Sequence, residues 1–143
     1  MNEVIRILNA ADFAARKHTN QRRKGRAAEP YLNHVVEVAN LVAEATDGRP
    51  DVVIAALLHD VIEDQGVKLA EIRAMFGPAV SALVAELTDD KSLDKQVRKE
   101  MQIADAPQKG PDASVIKLAD KTSNLLALAK SHRHGRLKRN ENM

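Results

Sequence analysis

Cysteine and tryptophan are absent from this chain, and the remaining aromatic residues are two phenylalanines and one tyrosine. Without cysteine there is no disulfide, no thiolate metal site and no cysteine nucleophile. Without large rings the core must be built from Ala, Leu, Val and Ile, a mixture that favours helices. The shortage of rings also argues against a surface for single-stranded nucleic acid. The 143 residues suffice for one domain with a real core.

Long apolar runs and a strong net charge are missing as well. No segment approaches the length of a membrane helix and no signal peptide stands at the start, so we expect a cytoplasmic protein without a membrane partner. The net charge of +2 does not by itself imply nucleic-acid binding, which we do not expect. Basic residues concentrate in two segments, 16–26 and 132–139. The sequence leaves the oligomeric state open.

Apolar residues recur with the helical period along nearly the whole chain, and no segment alternates for long enough to indicate a strand. The predicted fold class is therefore all-α. We predict helices over residues 4–18, 33–45, 51–64, 69–76, 78–87, 92–106 and 113–129, with a basic loop at 20–30 and a turn at 107–111. Asn33 and Asp51 are predicted as N-caps, and Gly66 as the residue that ends the third helix.

The third predicted helix ends in a cluster of ionisable side chains. His59-Asp60 and Glu63-Asp64 follow the apolar run 52–58. An unpaired buried carboxylate is costly, and a divalent metal would compensate its charge. On a continuous helix the spacing of four places His59 with Glu63, and Asp60 with Asp64, one turn apart on the same side.

Two further residues are candidate ligands for the same ion. His34 lies at the start of the second predicted helix, and Asp120 follows the apolar stretch 115–119. Two imidazoles and two carboxylates suit a borderline or hard ion such as Mn²⁺, Fe²⁺ or Zn²⁺. A water bound to such an ion supplies hydroxide near neutral pH. Glu63 and Asp64 would orient that water or shuttle its proton.

A purely structural interpretation of the cluster is a buried ion-pair network. No basic residue lies within the apolar part of the third predicted helix, which weakens that interpretation. His34 by itself would be an ordinary structural histidine, and His18 is expected on a solvated face. The combination of His59-Asp60, Glu63-Asp64 and Asp120 in two apolar helices favours a metal site.

At these positions the sequence resembles the HD-domain metal-dependent phosphohydrolases. More narrowly, it resembles the RelA/SpoT-type hydrolases of guanosine tetra- and pentaphosphate, above all their small single-domain members, which include the metazoan SpoT homologues. The resemblance covers residues 4–125 in order. The matching segments are 11–18, 22–24, 29–34, 55–64, 87–91 and 115–121.

The resemblance implies an HD-domain helical bundle, which we place over residues 1–130. The composition of residues 131–143 predicts a basic, disordered tail. The resemblance also implies a metal-dependent enzyme that removes pyrophosphate from the 3′ position of ppGpp or pppGpp, giving GDP or GTP. The implied metal is usually Mn²⁺, with Zn²⁺ and Fe²⁺ as alternatives. Its implied ligands are His34, His59, Asp60 and Asp120.

The resemblance further assigns the residues around the metal. Glu63 and Asp64 would handle the attacking water. Arg23 would lie near the base, Lys24 near a phosphate and Asn124 near the ribose or phosphate region. A basic loop beside an acidic metal cluster suits an anionic nucleotide substrate, since arginine and lysine are natural phosphate partners.

Several positions depart from the family pattern. Val35 stands where proline is usual, Thr122-Ser123 replaces a bulkier pair, and Leu126 stands where arginine is common. Family members usually carry further helical residues after this region. Two alternatives therefore stay open: a phosphatase on another purine nucleotide such as NADPH, or a regulatory module that binds metal and alarmone with little turnover. No synthetase domain fits within this length, so alarmone synthesis is not expected.

Overall fold

The apolar run before His59 forms the central helix of the molecule. The computed structural model describes residues 2–25, 28–88 and 110–141, with side chains as far as residue 130. In it, this central helix is α3 (Pro50–Leu58), which is buried from Val52 to Leu58. It packs against α1 (Glu3–Lys17), α2 (Tyr31–Thr46), α6 (Pro78–Leu87) and α7 (Pro111–Glu141). A helix that is apolar on every face belongs inside a bundle. Each fully buried aliphatic side chain, such as Ile54, contributes about 1.5–3 kcal/mol.

The predicted all-α fold class is confirmed for the described part of the chain. Two short helices, α4 (Val61–Gln65) and α5 (Leu69–Phe76), complete the bundle. The described ranges contain a single isolated β-bridge, between Arg22 and Pro30, which closes the loop between α1 and α2. Among the residues described, no helix is both long and apolar enough to cross a membrane. The predicted helix over 92–106 lies outside the described residues.

The predicted continuous third helix is wrong, because the structure divides it at His59-Asp60. α3 ends at Leu58 and α4 begins at Val61, with Asp60 at φ −108° and ψ −3°. His59 Nδ1 donates to the carbonyl oxygen of Ala56 over 2.6 Å, the carbonyl that the Asp60 N–H would use in a continuous helix. His59 and Asp60 therefore lie in a junction between helices, and Asp60 adopts backbone angles close to a region where active-site residues are common.

Two predicted N-caps are also wrong. α2 begins at Tyr31 rather than after Asn33, because the Tyr31 N–H donates to the carbonyl oxygen of Gln21 and needs no side-chain cap. α3 begins at Pro50, a residue suited to the first helical position, and Asp51 lies inside the first turn. The prediction for Gly66 is confirmed, since it ends α4 in the left-handed conformation at φ 68°.

The last helix is longer than the sequence predicted. α7 runs to Glu141, whereas we predicted an end near residue 129 and a disordered segment from 131. Lysine and arginine, which are frequent in this part of the chain, are good helix formers, and one glycine costs only about 1 kcal/mol. The division of the chain into a domain and a tail at residue 130 stays a prediction.

Candidate metal centre

Four side chains from separate parts of the sequence meet beside α3. His34 comes from the first turn of α2, Asp120 from α7, and His59 with Asp60 from the junction between α3 and α4. Each offers one ligand atom, and these atoms all lie within 4.8 Å of one another. The fold thus brings together the four residues that the sequence had singled out as candidate ligands.

The imidazole Nε2 atoms and the carboxylate oxygens face each other across this small space. His34 Nε2 lies 2.8 Å from Asp120 Oδ1, and His59 Nε2 lies 3.2 Å from the same oxygen. His59 Nε2 is also 2.8 Å from Asp60 Oδ2, and His34 Nε2 is 3.8 Å from it. Both rings are buried, with 2% and 6% of their surface exposed, while the carboxylates are half-buried.

Without an ion, the cluster compensates its own charge. Burial by itself would lower the pKa of His59, but the hydrogen bonds to Asp120 and Asp60 outweigh it and raise that pKa to about 10. Burial also favours the neutral form of both carboxyls, yet the neighbouring histidines hold the pKa of Asp60 and that of Asp120 below their usual range. A metal ion entering this space has to replace the proton on His59.

The outer nitrogens of both rings are already engaged. His59 Nδ1 donates to the Ala56 carbonyl over 2.6 Å, and His34 Nδ1 lies 2.9 Å from Ser123 Oγ. Such outer partners fix the orientation of ligating histidines and leave Nε2 for the metal. Two imidazole nitrogens and two carboxylates with this arrangement fit a divalent ion that accepts mixed N/O ligands.

Tyr31 is a residue of the centre that the sequence interpretation missed. Its hydroxyl donates to Asp60 Oδ2 over 2.5 Å, and its ring lies 5.2 Å from that of His34. Burial and the carboxylates of Asp60, Asp64 and Asp120 raise the pKa of Tyr31. Its spacing of three from His34, which puts both on one face of α2, was the available signal.

Glu63 and Asp64 lie in α4, outside the group of four convergent ligands, and both are half-buried. Gln21 donates from Nε2 to Asp64 Oδ2 over 3.1 Å. Its Oε1 accepts from Gln65 Nε2 and from His18 Nδ1, each over 2.7 Å. The expectation of a solvated His18 is wrong, since only 2% of it is exposed. A loop glutamine carries no sequence pattern that predicts this role.

The predicted nucleotide contacts lie on the loop and on α7. Arg23 Nη2 donates to Asn124 Oδ1 over 3.1 Å, and Asn124 follows Asp120 by four residues on the same side of the helix. Lys24 is exposed in the same loop. The structure therefore brings Arg23 and Asn124 together one turn from Asp120. Lys24 is near them because it follows Arg23 in the sequence.

The comparison with known proteins agrees with this arrangement. A model of the HD domain matches residues 10–142. Human guanosine-3′,5′-bis(diphosphate) 3′-pyrophosphohydrolase MESH1 is 48% identical over 126 residues, which cover 87% of this chain and 70% of the relative. MESH1 of Drosophila melanogaster is 46% identical over 121 residues, covering 84% and 68%. The solved structure of a metazoan ortholog of SpoT that hydrolyzes ppGpp superposes with a TM-score of 0.83 at 45% identity, covering 87% and 70%.

Proposed function

Because the chain belongs to the HD domain family, we propose that it is a metal-dependent hydrolase of ppGpp and pppGpp. The reaction releases pyrophosphate from the 3′ position and leaves GDP or GTP. The observation that carries the proposal is the convergence of two imidazoles and two carboxylates within 4.8 Å, one helical turn from the Arg23–Asn124 pair. The five MESH1 relatives, whose names carry this activity, share 43–48% of the matched residues.

His34, His59, Asp60 and Asp120 would hold the ion. Mn²⁺ is the first choice, with Zn²⁺ and Fe²⁺ also suited to mixed N/O ligands. When bound, the ion supplies an acidic water and neutralises charge on the phosphate. The protein's part is to keep both Nε2 atoms directed at this point through the bonds of the two Nδ1 atoms to Ala56 and Ser123.

Glu63 and Asp64 are proposed to handle the attacking water. Their place in α4, next to the ligand Asp60 but outside the four-ligand group, suits a base that takes up a proton without binding the ion. Gln21 holds one oxygen of Asp64 through its amide, so the second oxygen of that carboxylate keeps a defined direction. General bases held in this way contribute about 10²–10⁴ in rate.

Arg23, Lys24 and Asn124 are proposed to bind the nucleotide. Arg23 lies near the base and Lys24 near a phosphate, while Asn124 reaches the ribose or phosphate region. Arg23 already donates to Asn124 across the loop and α7, so the nucleotide would enter between two residues that face each other. A nucleotide substrate is made inside the cell, and the proposed location is therefore the cytoplasm.

The experiment is an incubation of the purified protein with ppGpp and Mn²⁺, followed by separation of the nucleotides. We expect GDP and pyrophosphate, and no GDP after chelation. Bound nucleotide without GDP would favour the regulatory module instead. Release of phosphate from NADPH, with ppGpp unchanged, would favour the other phosphatase.

Two variants separate the assigned roles. Asp60→Ala removes a ligand, and we expect it to lose measurable Mn²⁺ binding by calorimetry. Glu63→Ala leaves the four ligands in place, so we expect it to keep the metal while kcat falls by about 10²–10⁴. Equal loss of metal in both variants would contradict this division of roles.

A further inference from the structure

Ser123 is a fully buried polar residue beside the candidate metal centre. Its exposed fraction is 0%, and it lies on α7 three residues after Asp120. Its Oγ is 2.9 Å from His34 Nδ1 and 2.6 Å from Glu37 Oε1. Glu37 in turn lies on α2, three residues after His34. α2 therefore carries the candidate ligand His34 and, almost one turn later on the same face, Glu37. In the same way, α7 carries Asp120 and then Ser123.

The direction of these hydrogen bonds follows from the chemistry of the groups. A carboxylate only accepts, so the hydroxyl hydrogen of Ser123 is donated to Glu37. The Ser123 oxygen is then free to accept, and His34 Nδ1 must carry the hydrogen that fills the 2.9 Å contact. With Nδ1 bound to Ser123, Nε2 is the ring atom that faces Asp120 and the point where the four candidate ligand atoms meet. Carboxylates that accept from ligating histidines act in this way in many metal sites.

We propose that Ser123 and Glu37 form a positioning relay that holds the His34 imidazole with Nε2 directed at the metal. The relay places a serine between the histidine and the carboxylate, and a bulkier residue at 123 would fill that space. The inference rests on the proposed metal-dependent function, and it assigns no contact with substrate to either residue. His59 uses the Ala56 carbonyl for the same purpose, so the two imidazoles are oriented independently.

The relay is tested by measuring Mn²⁺ affinity through competition with a fluorescent chelator. We expect Ser123→Ala to bind Mn²⁺ about 10- to 100-fold more weakly, the usual effect of losing an outer partner of a ligating histidine. Thr122→Ala is the matched control, since it removes a hydroxyl from the adjacent position that donates only to the Leu118 carbonyl. Wild-type affinity in Ser123→Ala would overturn the proposal.

A second pair of variants keeps the test valid if Ser123→Ala does not fold. Glu37→Ala removes the acceptor of the serine hydrogen, and we expect a loss of affinity similar to that of Ser123→Ala. Glu37→Gln keeps an oxygen that can accept the serine hydrogen. Its Mn²⁺ affinity should therefore stay within about 3-fold of wild type, a much smaller loss than that caused by removing an outer partner. Equal affinity of Glu37→Ala and Glu37→Gln would overturn the relay. Failure of the proposed function is seen separately, as metal binding without turnover of ppGpp.

Discussion

At the scale of single residues, an amide of the α1–α2 loop holds a carboxylate next to the candidate metal centre. Gln21 donates to Asp64 while its own oxygen accepts from Gln65 and His18. Three hydrogen bonds on one side chain fix its orientation, so Asp64 is held from outside the metal cluster. We expect Gln21 to influence turnover without influencing the binding of the metal.

Gln21→Ala tests this expectation. The variant should bind Mn²⁺ with wild-type affinity, while kcat for ppGpp falls about 10- to 100-fold because Asp64 loses one fixed hydrogen bond to a charged group, worth about 1.5–3 kcal/mol. Gln65→Ala is the control, since Gln65 is exposed and contacts Gln21 rather than the carboxylate. Steady-state kinetics and metal titration on both variants provide the comparison. A wild-type kcat in Gln21→Ala would show that Asp64 does not depend on this loop.

The candidate ligands illustrate which residues a sequence can reveal. Asp60 and Asp120 were recognisable because each is a carboxylate beside an apolar run, and burial of an uncompensated charge is costly. Gln21 and Glu37 bind partners that are 43 and 86 residues away in the sequence. Nothing local distinguishes a polar residue whose partner comes from a distant helix.

At the scale of elements, the junction between α3 and α4 determines the direction of the reactive side chains. The helical period predicted one helix through His59-Asp60, and the structure divides it there. The period could not reveal the break, because His59 and Asp60 are both compatible with a helix. The short α4 that follows carries Glu63 and Asp64.

Gly66 anchors the end of α4 and provides a test at this scale. At φ 68° a side chain is strained, although the space around it is open. We expect Gly66→Ala to lower the free energy of unfolding by about 1 kcal/mol, the cost of the left-handed conformation for alanine. Gly110→Ala is the control, because its φ is ordinary and a Cβ would meet only Glu86 Oε2 at 3.9 Å.

Urea denaturation of both variants and the wild-type protein measures the difference. A similar change in midpoint for Gly66→Ala and Gly110→Ala would contradict the assignment of strain to Gly66. Because α4 is a short helix, we also expect Gly66→Ala to reduce turnover more than metal affinity.

At the scale of the whole molecule, a metal bound at the candidate centre would couple the proposed chemistry to stability. The bundle closes α2, α7 and the α3–α4 junction around one point, and only the folded chain presents the four ligands together. A metal that binds the folded state alone stabilises it by about 2.7 kcal/mol at a concentration 100 times the Kd. For a domain of this size, we expect the Tm to rise by about 5–10 °C with Mn²⁺ relative to a chelator.

The protonation of His59 determines how the stabilisation by metal changes with pH. Its pKa in the folded, metal-free protein is raised from 6.5 to about 10, so its contribution to stability is complete below pH 6.5 and is lost as the pH rises through 10. Metal binding also has to displace that proton, and it becomes easier as the pH rises. We therefore expect the Mn²⁺-dependent rise in Tm to grow between about pH 6.5 and 8.5.

Thermal denaturation with Mn²⁺ or chelator across this range measures the effect. Asp60→Ala, which lacks one ligand, should show little metal-dependent change at any pH. A rise in Tm that shrinks with pH would contradict the assigned proton on His59, and an unchanged Tm in wild type would argue against a metal site.

The sequence by itself determined the helical fold class, most helix positions and the four candidate ligands, because helical periodicity and the cost of burying charge are local properties. The tertiary structure decided which polar residues hold those ligands and the proposed base Asp64. Tyr31 on Asp60, Ser123 and Glu37 behind His34, and Gln21 on Asp64 are pairings across helices. A hydrogen bond requires two groups within about 3 Å, and the chain brings these groups that close only when α2, α4, α7 and the loop pack around α3.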